Sequence, residues 1–281
     1  MNKGKTVVIT GTSSGIGKAC ALYLDKMGFK VYAGVRKQVD GDNLKKEASD
    51  RLSPIILDVN NAESISKAVS IIEKETDGNV FGLINNAGIG QGGPLEITPI
   101  SEIRKVMEIN VIGLMAVTQA FLPMLRKSKG RIINIGSSTS IIAFPGASIY
   151  AASKFAVRAL TDSLRVELKM FDMHSVLIVP GHVETVLWNK EDEFKDKIRN
   201  AIDSEIAQQY TPLIKYGDKL IDETPRIPAI EVAKVVTNSL TVKKPKAYYY
   251  IGSDAKSISI LARLPKRLLD WMFYKRIKVM I

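Results

Sequence analysis

At 281 residues, with 46% hydrophobic and 25% charged residues, the chain has the proportions of one large α/β unit rather than of a disordered or fibrous protein. The formal net charge is +11, and residues 256–281 hold +6 of it, seven basic residues against Asp270. The excess therefore belongs to the tail, and no nucleic-acid groove is expected. One cysteine, Cys20, excludes an intramolecular disulfide; in its apolar helical pattern it reads as core filling in a reducing compartment. No apolar run is expected to reach the ~18 residues needed to span a bilayer. The start MNKGKTVVIT leads straight into a strand without a signal-peptide pattern, so a cytoplasmic location is expected.

Lys5 to Thr10 predicts the first strand, running into TGTSSGIG (Thr10 to Gly17) and a helix through about Met27. Gly11, Gly15 and Gly17 let the backbone turn tightly and approach a ligand, and the helix start offers free N–H groups to an anion. Lys30 to Val35 predicts the second strand, followed by Arg36 and Lys37 where an acid is absent. A guanidinium there suits a ribose 2′-phosphate, whereas an acid would accept from a 2′-hydroxyl. Pro54 to Leu57 is the third strand, closed by Asp58 and Val59. Residues 62–76 form an amphipathic helix with Ile65, Ala68, Val69 and Ile72 inward. Phe81 to Ile84 then enters Asn85-Asn86-Ala87-Gly88, a loop follows over 89–100, and a long helix runs from about Ser101 to Leu125. Asn110 sits in its middle, where asparagine is a poor helix former.

Arg131 to Ile135 predicts a buried strand ending at Gly136 and Ser137. Pro145 and Gly146 break the chain, and Ile149 opens a helix on which Tyr150 and Lys154 share one face. A free tyrosine loses its proton near pH ~10. An adjacent ammonium stabilises the phenolate and draws that value toward neutrality. The Ser137 hydroxyl is suited to hold a carbonyl or alcohol oxygen beside the phenol. Ser175 to Val179 is the sixth strand and leads into PGHVET, residues 180–185. His182 lies in that loop and reads as a variable loop position, and His174 as a strand-entry residue. No metal-ligand spacing appears, so no metal site is expected.

TGTSSGIG, NNAG, Ser137 and the Tyr150–Lys154 pair, in this order, resemble the short-chain dehydrogenase/reductase family over about residues 4–252. The resemblance implies a single-domain, doubly wound Rossmann fold, a mainly parallel seven-stranded sheet flanked by helices. It implies a catalytic set of Asn110, Ser137, Tyr150 and Lys154, with Asn110 anchoring a proton-relay water. A nicotinamide dinucleotide would then rest on Gly11, Ser13, Ser14, Gly15, Ile16 and Gly17. Asp58 and Val59 would meet its adenine, and Asn86, Ala87 and Gly88 its adenosine ribose. Tyr150 and Lys154 would reach the nicotinamide ribose, and Pro180, Val183 and Thr185 the nicotinamide. Arg36 and Lys37 favour NADP, with NAD as the alternative. VYAGVRK, SDRLSPIILDV and FGLINNAGIG look like the retinol, hydroxysteroid and hydroxybutyrate dehydrogenase branch. The expected substrate is a lipophilic alcohol, ketone or aldehyde, and the alternative is an NADP-binding sensor or membrane tether with little catalysis. A homodimer or homotetramer through residues 101–125 and 150–170 is implied by the resemblance alone.

Residues 186–226 read as a substrate loop or lid, where Phe194, Ile198, Ile202 and Ile206 recur every four residues. Pro228 to Leu240 predicts a helix and Ala247 to Ile251 a seventh strand, at a sheet edge or a dimer contact. The chain divides into a catalytic domain, 1–255, and a basic amphipathic tail, 256–281. Trp271 and Phe273 among Lys and Arg in that tail suit an anionic membrane surface. A neighbouring subunit would satisfy the same pattern, and both readings stay open.

Overall fold

The computed structural model describes residues 4–90, 92–184 and 204–281. Its strands are β1 (Thr6–Ile9), β2 (Lys30–Val35), β3 (Leu52–Ile56), β4 (Gly82–Asn85), β5 (Arg131–Ile135), β6 (His174–Pro180) and β7 (Tyr248–Ile251). They form one sheet in the order β3-β2-β1-β4-β5-β6-β7, and every neighbouring pair is parallel. β7 takes the edge of the sheet beside β6. A parallel sheet covered on both faces needs apolar residues at successive positions, and TVVI and RIINI supply them.

Alternation along β1 sends Val7 and Ile9 to one face and Val8 to the other. The first face is covered by α1 (Gly15–Lys26) and α9 (Ala229–Thr241), through Cys20, Leu24, Val232 and Val236. Burial pushes the Cys20 thiol up to about 12, so it stays an inert core group. The second face is covered by α3 (Ala62–Thr76), α5 (Leu114–Lys127) and α6 (Ser148–Glu167), through Ile72, Phe121 and Leu164. Each fully buried side chain of this size stabilises the fold by about 1.5–3 kcal/mol. The short α2 (Gln38–Lys45) follows β2.

The long helix expected over 101–125 is built as α4 (Ile100–Met107), one π turn (Glu108–Gly113) and α5. Contrary to the expectation that no stretch is long and apolar enough to span a bilayer, the stretch 100–127 is so by length and composition. Val117, Phe121 and Leu125 are nonetheless fully buried in the second core, which makes it a core helix here.

The remaining helices are α7 (Ser204–Gln209), α8 (Thr211–Glu223), α10 (Ser253–Leu261) and α11 (Lys266–Lys278). Of the apolar row expected over 194–206, only Ile206 falls among the described residues, exposed on α7. Phe194, Ile198 and Ile202 lie outside them. The helix that does pack here, α8, begins with Pro212 in its first turn. The division at residue 255 falls inside α10, and α11 packs on α8 rather than standing apart from the body.

Candidate active site

The glycine turn after β1 owes its shape to contacts that admit no side chain. Gly11 has φ +70°, and a Cβ there would stand 2.8 Å from the Ala87 Cα. A Cβ on Gly17 would collide with the Gly11 carbonyl and the Asn86 side-chain amide. Thr10 Oγ1 accepts from the N–H groups of Asn86 and Ala87, each at 3.0 Å. Asn86 Nδ2 donates back to the carbonyls of Thr10, 3.0 Å, and Gly11, 2.8 Å. The NNAG loop is thereby stitched to the turn. Ser14 is the N-cap of α1 but makes no side-chain cap bond, so the first-turn N–H groups remain for an incoming anion. Ser13 is exposed beside it, and Ile16 faces the cavity described below.

Arg36 and Lys37 stand exposed at the carboxyl end of β2, with Lys37 as the N-cap of α2. Asp58 has a structural task as well: Oδ1 accepts from the Asn60 N–H at 3.0 Å, and its own N–H donates to Ser64 Oγ at 2.9 Å. Val59 is buried against Gly113, where a Cβ would come within 2.8 Å of Val59 Cγ2. Gly88 faces Asn110, whose Oδ1 would be 3.2 Å from a Cβ.

β5 delivers Ser137 to the same end of the sheet. Its Oγ accepts from the Thr139 N–H at 3.2 Å, capping a short 3-10 turn (Ser138–Ser140) and leaving the O–H to donate. Tyr150 opens α6 half-buried, and Lys154, one turn on, is only 7% exposed. Lys154 Nζ donates to the Ile135 carbonyl at 2.9 Å and lies 5.7 Å from the centre of the Tyr150 ring. Burial pushes its ammonium down to about 8. Asn110 sits in the π turn and is 1% exposed. Its Oδ1 accepts from the Ile89 N–H at 2.8 Å, and Nδ2 donates to the Ile89 carbonyl and Ser153 Oγ, both at 3.0 Å. Ser153 Oγ in turn donates to the Tyr150 carbonyl at 2.7 Å. The asparagine that weakens the helix in sequence is thus the bolt between the 89 loop and α6, and π turns often mark such places. Ser153 was not singled out by sequence; its only signal was its place one turn after Tyr150.

A family model described as short chain dehydrogenase matches residues 5–196, well over half of the chain. The chain belongs to the short-chain dehydrogenase/reductase family. It is therefore an NAD(P)-dependent dehydrogenase. Mouse estradiol 17-beta-dehydrogenase 2 is 34% identical over 284 residues, covering 96% of this chain and 74% of that protein. The NADPH-dependent 3-dehydrocapnine reductase of Ornithobacterium rhinotracheale is 34% identical over 281 residues, covering 96% of both. A short-chain dehydrogenase from Streptomyces avermitilis superimposes with a TM-score of 0.81 at 25% identity, over 98% of both chains. Likeness to a hydroxysteroid enzyme agrees with the branch that VYAGVRK and its companions resemble.

In this dehydrogenase Ser137 and Tyr150 look into a cavity of about 880 Å³. Pro180 and Val183 line it from the end of β6, whereas Thr185 lies outside the described residues. Ile142, Phe144, Leu213, Leu261, Met272 and Phe273 make its walls apolar. The rings of Phe144 and Phe273 meet edge to face with centroids 5.8 Å apart. α11 is thus a wall of its own chain's cavity, a role the sequence did not suggest for the tail. His182 is a second surprise: it lines the cavity and is 6% exposed. Its N–H donates to Asp254 Oδ2 at 2.7 Å, and Nδ1 lies 3.2 Å from the Thr224 carbonyl. Burial, opposed by that Thr224 contact, moves the imidazole below its ordinary value.

Proposed function

We propose that the enzyme interconverts a ketone and a secondary alcohol on a lipophilic substrate, with Tyr150 as proton donor and acceptor and NADP(H) as the preferred cofactor. One observation carries this reading: Tyr150 and Ser137 face a broad apolar cavity while the Lys154 ammonium is buried behind the phenol. In the reducing direction Tyr150 gives its proton to the carbonyl oxygen, and the Ser137 hydroxyl donates a hydrogen bond to the same atom. Lys154 stabilises the phenolate left behind. As the family resemblance implies, Asn110 would anchor a water that returns the proton toward Lys154. Estradiol in the name of the mouse relative supports a lipophilic substrate.

The residues present fit a nicotinamide dinucleotide: side-chain-free glycines, an α1 start without a side-chain cap, and a cation pair after β2. Gly11, Ser13, Ser14, Gly15, Ile16 and Gly17 would hold its pyrophosphate; Asp58, Val59, Asn86, Ala87 and Gly88 its adenosine; Lys154, Tyr150, Pro180, Val183 and Thr185 its nicotinamide end. When bound, it supplies or accepts the hydride. Arg36, aided by Lys37, would fork onto a 2′-phosphate, and the NADPH dependence named for the Ornithobacterium relative supports that choice. NAD is the alternative.

We further place a homodimer or homotetramer contact on the long helices, where Ile112, Met115 and Val166 are exposed. The outward face of α11, with Trp271 56% and Tyr274 63% exposed beside Lys275 and Lys278, suits peripheral attachment to an anionic membrane on its cytoplasmic side.

The test is an NADPH and NADH fluorescence titration followed by a panel of apolar ketones with Tyr150→Phe. The variant should bind NADPH like the parent and lose about 10³-fold in kcat. Retained turnover removes the mechanism. Tight NADPH binding by the parent with no turnover across the panel favours a redox sensor.

A further inference from the structure

The half of the cavity away from Tyr150 carries two polar groups that the mechanism does not use. α8 and α11 bring Tyr216 and Arg276 to the same wall. Tyr216 is 4% exposed, and its hydroxyl lies beside the Arg276 guanidinium, while among the described residues nothing accepts from its O–H. A hydroxyl shut away from water in that state costs stability until something accepts from it. Arg276 is exposed, which puts it where the cavity meets solvent. Its charge reaches the phenol, opposing the upward push that burial gives Tyr216.

Other charges on the wall do not answer this pair. Asp254 accepts from the His182 N–H at 2.7 Å, and Asp218 has a partner of its own. Lys215 adds a further cation. Around them Leu213, Leu220, Ile221 and Met272 are apolar. Two donors therefore converge at one end of an oily chamber whose other end holds Ser137 and Tyr150. Guanidinium and phenol together match an oxyanion: the planar fork takes two oxygens and the O–H adds a third bond.

We infer that the substrate is amphipathic, with an oxyanionic head such as a carboxylate or sulfonate held by Arg276 and Tyr216 and its reacting carbon at Ser137. This rests on the lipophilic-substrate reading and goes beyond it, because it makes the C-terminal helix the element that reads the head group. Calorimetry on the full chain saturated with NADPH, using decanoate and 1-decanol as probes, tests it. Decanoate should bind at least about tenfold more tightly than decanol, the worth of one charge-assisted hydrogen bond. Arg276→Gln should bring the two to parity, Arg276→Lys should keep part of the preference, and Tyr216→Phe should reduce it. NADPH affinity reports whether each variant is folded, and Tyr216→Phe decides the matter if Arg276→Gln is not. Equal binding of both probes by the parent, or a preference that survives Arg276→Gln, overturns the anchor and leaves the lipophilic reading standing. Failure of both probes to bind overturns the two together.

Discussion

The two walls of the cavity are made by different means. Along the inner wall at Ser137, and just behind it at Lys154 and Asn110, polar side chains are fixed by backbone. Lys154 is tied to the Ile135 carbonyl, Ser137 to the Thr139 N–H, and Asn110 to both polar groups of Ile89. Ile135 belongs to β5 and Thr139 follows it closely, Ile89 follows the neighbouring β4, and β5 is buried along its whole length. The outer wall, from α8, α10 and α11, is held by apolar side chains, among them buried Leu269 and the Phe144–Phe273 edge contact. Proton transfer needs groups placed within hydrogen-bond reach, and a close-packed sheet provides that placement. Substrate selection needs shape and apolar area, which short helices provide without touching the sheet.

The inner wall should break hardest. In Gly17→Ala the added methyl meets the Gly11 carbonyl and the Asn86 amide, both parts of the stitched turn. The turn must open, and α1 loses its approach to the pyrophosphate. NADPH affinity should fall more than about 100-fold, with about 1–3 kcal/mol of stability lost to overpacking. A fluorescence titration that finds the parent's affinity would mean the turn is not the cofactor seat.

Lys154 sharpens the contrast through pH. Its folded value of about 8 lies below the ordinary 10.5. Between those two values the unfolded chain binds the extra proton, so the stability of the cofactor-free protein rises with pH across that window. Below the window both states are protonated and the full cost of burying the ammonium is present. Lys154→Met should therefore be inactive yet more stable at pH 7, by on the order of 1–2 kcal/mol once the lost bond to Ile135 is counted. The gap should shrink as pH climbs through the window in urea unfolding. A gap that stays constant would show the ammonium to be better solvated than its surroundings suggest.

The same contrast explains what the sequence disclosed. β2 and β5 run over the residues that apolar continuity picks out, Lys30–Val35 and Arg131–Ile135. Ser137, Tyr150 and Lys154 stood out in the sequence as particular residue types at fixed spacing, and the fold brings Ser137 and Tyr150 to one cavity with Lys154 behind the phenol. The outer wall has no such grammar. Leu269, Met272 and Phe273 mark an apolar face in need of a cover, and a bilayer, a second subunit or the chain's own cavity would serve equally well. Only the fold, by bringing Phe144 against Phe273, decides that the inward face belongs to the cavity. α8 was covered only by the substrate loop or lid expected over 186–226, because Leu213, Tyr216 and Leu220 look inward to a cavity rather than to a core. His182 was set aside because proton chemistry already had candidates, and its buried place in the wall is a packing fact that sequence does not carry.

The smallest expected effect tests the outer wall by itself. Phe273→Ala removes an aromatic edge contact worth about 0.5–1.5 kcal/mol and part of the apolar lining, without touching β5 or α6. Because a bulky apolar ketone meets this surface before and during the reaction alike, the loss falls on ground state and transition state equally. KM should rise about three- to tenfold with kcat nearly unchanged, while a short ketone that leaves the outer half empty should show no change in either. A fall in kcat for the short ketone would mean that α11 also braces the proton-transfer groups, and the separation of the two walls would then be wrong.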